Sequence, residues 1–569
     1  AEYAVEADGA VRFALGDYDP EHPLVIDPIL SYATFLGSTG NDQVWDVAPA
    51  NESGALIVVG ETESLRFPTN LFPQDGVFQT NWAGGVFSVG GDAFVARLNA
   101  TGTAYDWFTY LGGSDFEAAY SVAVEDGGEI VLGGFTTSTN FPVTAGAFQR
   151  SLGGLQPLPV VRYPLDGFVA RLAPDGSALL ASTYLGGSGS DQVIQLRLAD
   201  NGDIVVAGQT GSTNLPVPAG AAQPRYGGGT NDAFIARLPR SLAEVTAATY
   251  HGGPASESAE GLALAADGSV FIAGYTGSRT NFPLVAPLQA TNAGGFDAML
   301  ARFNPQLTTR LFSTYLGGSE SDYAYRVAVR PDGHVVLGGE TFSTNFPVTP
   351  DAHQTNRASA LDGFLTTLAP DLTGLAWSTY YGGSGDDTVW TLAADAQNRI
   401  LAALTSGSTN IAGVATNAIQ PRNGGNFDVV LARFTPGGQL EQATYFGGGG
   451  EEVPYGLVLD AAGNAYVGGR TRSINLTVTT NAAQVVYGGD RTDGFVFKVS
   501  FEPELAARRA GGALEVSWPA PNPDWRLEQG LLPGEDFAPV AELPEISGGR
   551  VRVTVPAEGA GAAFRLAPR

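Results

Sequence analysis

The sequence predicts an all-β protein: a seven-bladed β-propeller of four-stranded blades, followed by a small C-terminal β-sandwich. Three observations carry this reading. A phrase complete as Ser313-Thr-Tyr-Leu-Gly-Gly-Ser319 recurs in seven copies, marked by Phe35, Tyr110, Tyr184, Tyr250, Tyr315, Tyr380 and Tyr445. The steps between these aromatics are 75, 74, 66, 65, 65 and 65 residues, the near-constant period of a structural repeat. Within each period, short apolar stretches are divided by Gly, Pro and Asp, a strand-and-turn pattern. Repeats that cannot bury their own faces must pack as one body, and seven units of four strands close a propeller.

In chain order, residues 1–27 form a leader. Tyr3 to Leu15 reads as two short strands about an Asp8-Gly9 turn, and a Pro-rich extended segment runs on to Pro28. A lone hairpin is marginal in water, so the leader must dock on something. The propeller spans 28–501. The unit from Ser313 shows the pattern: Tyr325 to Val329, a Pro331-Asp-Gly333 turn, His334 to Thr341, a long loop, then Asp362 to Leu368 and the next Ser378-Thr-Tyr380. The last unit lacks a Ser-Thr-Tyr strand of its own, and the first such strand, Leu30 to Leu36, lacks a preceding partner. The N-terminal strand is therefore expected to close the ring beside Asp493 to Val499. Residues 502–569 break the period and read as a separate small antiparallel sandwich.

Composition narrows the function. The 569 residues carry a net charge of −28, which argues against nucleic acid, whose binding needs clustered basic groups. With no Cys there is neither a disulfide framework nor thiolate chemistry. No apolar run approaches the ~20 residues of a membrane span. The chain begins at Ala1 without Met or a signal peptide, as a processed mature product would.

Seven internal copies allow blade-by-blade comparison. Seven residues after each marker stands an acid: Asp42, Glu117, Asp191, Glu257, Asp322, Asp387 and Glu452. Placed where the chain enters the inner strand, they form a candidate ring at the channel mouth. Such a ring either binds Ca2+, which takes several oxygen ligands, or pins each turn by accepting backbone N–H bonds. Three residues on, five of seven units carry an aromatic (Trp45, Tyr120, Tyr325, Trp390, Tyr455), with Ile194 and Glu260 as exceptions. Alternation with Val327 and Val329 favours the blade-to-blade core for these aromatics over a sugar-stacking platform. Every long loop holds a Gln (Gln79, Gln149, Gln223, Gln289, Gln354, Gln420, Gln484), read as a loop tie, and every third strand opens with an Asp. The first two units are longer, and Trp82, Phe87, Leu155, Leu158, Val160 and Tyr163 in their loops are the candidate partner-binding residues. The four His are scattered, and no nucleophile triad or phosphate loop is present.

The repeat resembles the SBBP family, the seven-bladed propeller repeat of secreted bacterial proteins. The resemblance rests on Ser313 to Ser319, Asn345-Phe-Pro-Val-Thr349 with Gln354, and Asp232-Ala-Phe-Ile-Ala-Arg-Leu238, and spans roughly 28 to 500. Units six and seven depart from it at Asn410-Ile-Ala and Asn475-Leu-Thr, where the Pro is missing. The tail looks like the fibronectin-like domain of similar secreted proteins. The resemblance implies export and life outside the cell or on its surface, and brings no catalytic residues. The function expected is a structural or binding module with protein partners, not an enzyme, self-assembling into a filament or layer through its end strands. The alternative is a carbohydrate-binding propeller, or a hydrolase or lyase using acids at the channel mouth.

Overall fold

The computed structural model describes residues 29–501 apart from 51–53, 85–90, 155–164, 416–417 and 490, together with the backbone of nine strands in the two ends of the chain. Among the described residues there is no helix, long and apolar enough to cross a membrane or otherwise. Seven four-stranded antiparallel sheets follow one another and form the blades of a propeller. In blade one, Asp42–Pro49, Leu56–Thr62, Asp92–Leu98 and Tyr105–Leu111 pair in that order. The first strands of successive blades neighbour one another, which makes them innermost. In the seventh blade, Glu452–Leu459, Ala465–Thr471 and Asp493–Ser500 are joined by Ile29–Leu36 from the start of the chain. That strand leaves the ring without an open edge between its last and first blades.

The strands form where the sequence alternates, and each blade hides one face against its neighbour. One core packs Val59 and Val95 of blade one with Val122, Leu132, Phe168 and Tyr184 of blade two. A second packs Leu300 and Phe312 of blade four with Val327, Leu337 and Phe364 of blade five. Each of these cores is shared by two blades, so a blade taken alone would leave one face of its sheet exposed.

The turn between third and fourth strands adds a wedge. Its left-handed position is Gly102, Gly176 and Gly438 in three blades, but Leu242, Leu307 and Leu372 in three others, at φ 54°, 57° and 59°. A side chain is costly in this region. The three leucines accept it because they are buried in the inter-blade cores. The same turn also receives the previous blade's long loop: Phe148 N–H donates to Leu242 O at 2.8 Å and Ala222 N–H to Leu307 O at 2.9 Å.

The chain divides into two compact units, Ala33–Phe497 and the combination of Ala1–Tyr32 with Lys498–Arg569. The second unit holds two antiparallel sheets. One orders Ala506–Ala510, Ala513–Pro519, Arg550–Pro556 and Glu545–Ser547. The other orders Val11–Ala14, Glu2–Val5, Ala562–Pro568, Trp525–Leu531 and Ala538–Pro539. In the leader hairpin Glu2–Val5 is paired on both sides, with Val11–Ala14 and with Ala562–Pro568, and Val11–Ala14 is an edge strand of that sheet. Tyr3 stands opposite Phe564, and the first and last strands of the chain share a ladder.

Two outcomes follow. A chain starting at Asn41 lacks the outer strand of blade seven and will melt at lower temperature and less cooperatively than the intact protein. Leu307→Gly relieves about 1–2 kcal/mol of left-handed strain but forfeits about 2–5 kcal/mol of buried side chain, so urea titration should show net destabilisation.

Candidate functional site

The seven recurring acids sit at the start of each innermost strand and are fully buried. Each accepts a backbone N–H from the Gly-Gly turn just before it: Ser38 to Asp42, Gly113 to Glu117, Gly187 to Asp191, Gly253 to Glu257, Gly318 to Asp322, Gly383 to Asp387 and Gly448 to Glu452, all at 2.7–2.8 Å. The end of the second strand supplies hydroxyl donors to the same carboxylates, for example Ser64 to Asp42 at 2.9 Å and Thr276 to Glu257 at 2.7 Å. Asn140, Asn214, Asn345, Asn410 and Asn475 accept the next N–H of the turn at 2.8–2.9 Å. The marker tyrosines close the network: Tyr184 donates its hydroxyl to Ser138 O at 2.8 Å and Tyr315 to Ser278 O at 2.7 Å. Among the described residues, no three His, Cys, Asp or Glu side chains are placed to hold one metal ion.

The loop glutamines bind as their amide allows. Gln289 donates to Asp297 at 2.7 Å and accepts Gly317 N–H at 3.0 Å, fastening the long loop to third strand and turn together. This brings a second carboxyl to every junction. A Cβ on Gly447 would lie 2.5 Å from both Asp428 Oδ1 and Glu452 Oε2, so only glycine fits between the two acids. Oδ1 of Asp92, Asp166, Asp232, Asp297, Asp428 and Asp493 is buried with no hydrogen-bond donor. Burial pushes Asp92, Asp166 and Asp232 up to about 7, with the neighbouring Glu117, Asp191 and Glu257 adding to the rise. Burial, and then Asp42, push Asp493 up to about 8.

The channel is built by a different device. In every blade the innermost strand carries a β-bulge at its fourth residue: Trp45, Tyr120, Ile194, Glu260, Tyr325, Trp390 and Tyr455 each stand unpaired between registered neighbours. The bulge presses the strand against its partner, and a Cβ on Gly339 would meet Tyr323 O at 1.8 Å. Glycine occupies the equivalent place in Gly60, Gly134, Gly208, Gly274 and Gly469, while blade six has Leu404. The extra residue reverses the alternation beyond it. Ala324 and Val327, three apart, therefore share the buried side, and Tyr325 faces the channel.

This corrects the assignment of the aromatics to the blade-to-blade core. All seven bulge residues line one cavity of about 200 Å³, together with Gln192, Gln195, Gln209 and Arg326. Trp45 packs against Tyr455 at 4.2 Å and Tyr120 at 4.9 Å, and Trp390 stacks on Tyr325 at 4.8 Å. The aromatic wall thus runs through blades five, six, seven, one and two, and blades three and four supply the polar wall. Arg326 reaches across the cavity, donating to Glu260 O at 3.2 Å and to Tyr455 O at 3.0 Å. Asp46 lies buried near Arg326 and Arg197; burial raises its carboxyl, against the pull of Arg197. Burial pushes Glu61, beside this wall, up to about 7.

Sequence reasoning placed the acids at the turn and missed the cavity. The overlooked signal is an apolar pair three residues apart in each innermost strand, such as Val44 and Val47, Val193 and Leu196, or Val389 and Leu392, all buried. Such spacing breaks strict alternation and marks the bulge. Of the candidate partner-binding residues, Trp82 is half-buried beside Gly84. Phe87, Leu155, Leu158, Val160 and Tyr163 lie outside the described residues.

Fold and channel together define a seven-bladed β-propeller with an aromatic-walled channel. No family model and no curated protein matches the chain. Among solved structures it is similar to "YCF48 bound to D1 peptide" (10% identity, 84% of this chain and 98% of that one, TM-score 0.37). It is also similar to a PL25 ulvan lyase bound to its saccharide (8% identity, 70% and 78% coverage, TM-score 0.33). A third is a gluconolactonase from Xanthomonas campestris (9% identity, 84% and 98% coverage, TM-score 0.31).

The buried acid pairs set a pH dependence. Carboxyls whose native pKa is raised hold protons that the unfolded chain has released, so stability falls as pH rises through that interval. Melting temperature should decline from about pH 4 to about pH 8, the window between ordinary carboxylates and Asp493. Asp493→Asn keeps an acceptor for Gly488 N–H and sets an amide donor where the unpartnered oxygen stood. The variant should melt higher than the parent at pH 8 and show a flatter profile; an unchanged profile would place the titration elsewhere.

Proposed function

We propose that this protein is a binding module, not an enzyme, exported to the cell surface or beyond, that takes its partner at the mouth of the propeller channel. The observation that carries this is the bulge in all seven innermost strands, which turns a core-forming position into a channel lining. A sheet position that turns Trp and Tyr to the channel forgoes part of their inter-blade burial, a cost that recognition offsets. The reading as a binder is supported by the acids at the turns: each is hydrogen-bonded within its own blade, as a structural group would be. Export rests on the resemblance of the repeats to those of secreted proteins. The partner is a protein segment or a polysaccharide presenting an end or side group, because the cavity is below the ~300–1,000 Å³ of drug-sized sites.

The Trp indoles give a direct test, since Trp45 and Trp390 stand in the channel and, among the described residues, Trp82, Trp107 and Trp377 do not line the cavity. Peptide and oligosaccharide libraries would be screened against the indole N–H resonances of the intact protein. The expected result is a ligand that shifts Trp45 and Trp390 and is recovered unchanged. Turnover of the ligand, or ligands that bind and leave Trp45 and Trp390 unshifted, would overturn the proposal.

A further inference from the structure

We infer that the channel cavity is a subsite for one neutral sugar ring, such as the terminal unit of an uncharged polysaccharide; this rests on the binding reading above and names its ligand class. A pyranose is amphipathic: one face presents C–H groups, and its rim presents hydroxyls that both donate and accept. The cavity is divided in the same way. Its apolar wall is the run of Trp45, Tyr120, Tyr325, Trp390 and Tyr455, and its polar wall is Gln192, Gln195, Gln209 and Glu260.

An unmet hydrogen-bonding group points to a ligand. Gln195 is 1% exposed, lines the cavity, and its Oε1 has no donor. A buried polar group left unsatisfied is expensive, so this acceptor calls for a partner that donates. A hydroxyl donates without carrying a charge. The Trp45 indole N–H already faces the Glu61 carboxyl.

Charge selects neutrality. The charged lining side chains are Glu260 and Arg326, opposite in sign, and Arg326 is already committed to the carbonyls of Glu260, Tyr325 and Tyr455. A cationic ligand would meet that guanidinium, and an anionic one would meet Glu260. A volume of about 200 Å³ suits one ring and excludes a continuous chain. Arg326, held from blade five to the Tyr455 carbonyl of blade seven, stands in the way of a chain threading through, which favours a terminal unit over an internal one.

The test titrates the full chain calorimetrically with neutral gluco-, manno- and galacto-configured oligosaccharides. Uronate and amino-sugar counterparts and uncharged peptides form the control arms, and indole resonances are read in parallel. A neutral saccharide should bind and shift Trp45 and Trp390. Gln195→Leu, which removes the acceptor at similar volume, should weaken it about tenfold without lowering the melting temperature. Trp390→Leu should weaken it further, and Trp390→Phe should restore part of the affinity. If peptides or charged glycans shift the two channel indoles and no neutral saccharide does, the sugar inference falls while the binding reading stands. A neutral saccharide whose affinity ignores both Gln195→Leu and Trp390→Leu would refute the cavity as its subsite. If nothing moves the channel indoles, both fail.

Discussion

The structure depends on one buried carboxylate per blade, placed where the chain passes from an outermost strand to the next innermost one. That passage crosses from the outer edge of one sheet to the inner edge of the next, with no ladder to hold it. Asp42 and its six counterparts replace the ladder, collecting a turn N–H and hydroxyls from the following strand. Charge-assisted bonds of this kind are short and directional, so each carboxylate sets where its blade begins relative to the one before. The Gly-Gly pair, the Ser-Thr-Asn stretch and the tyrosine of each repeat all serve this junction. Their recurrence is the recurrence of one hydrogen-bond network.

The same junction holds more acid than it needs. The Asp that opens each third strand is brought beside the next blade's carboxylate by the loop glutamine, with a glycine between them. Two carboxyls in a dry site cannot both ionise cheaply, and a proton held by one is the simplest relief. The ring is therefore fastened by groups that bind best in partly protonated form. An acidic chain with such junctions couples its cohesion to the acidity around it.

The channel follows from a local break in β regularity that is repeated without variation in place and varied freely in residue. The bulge fixes which position looks inward. The residue then decides the surface: five aromatics in succession, then Ile194 and Glu260. A seven-fold frame thus carries an asymmetric lining, and the asymmetry is where recognition can reside. The polar wall belongs to the two blades whose bulge residue is not aromatic.

The repeat period, the strand count and the turn residues were legible in the sequence, because strands and tight turns are local and each repeat restates them. Strand counting also left Leu30 to Leu36 without a partner, and Ile29–Leu36 is the strand seated beside Asp493–Ser500. The turn-pinning role of the acids was legible for the same reason, since donor and acceptor lie within one repeat. Three features belonged to the tertiary structure. The pairing of the leader with Ala562–Pro568 joins segments more than 500 residues apart, beyond the reach of any pattern. The carboxyl pairs join adjacent blades, so neither partner reveals the other within its own repeat. The channel lining turned on parity: one extra residue between Ala324 and Val327 moves Tyr325 from the core to the channel, and alternation counted along a single strand cannot register a residue that its partner strand skips.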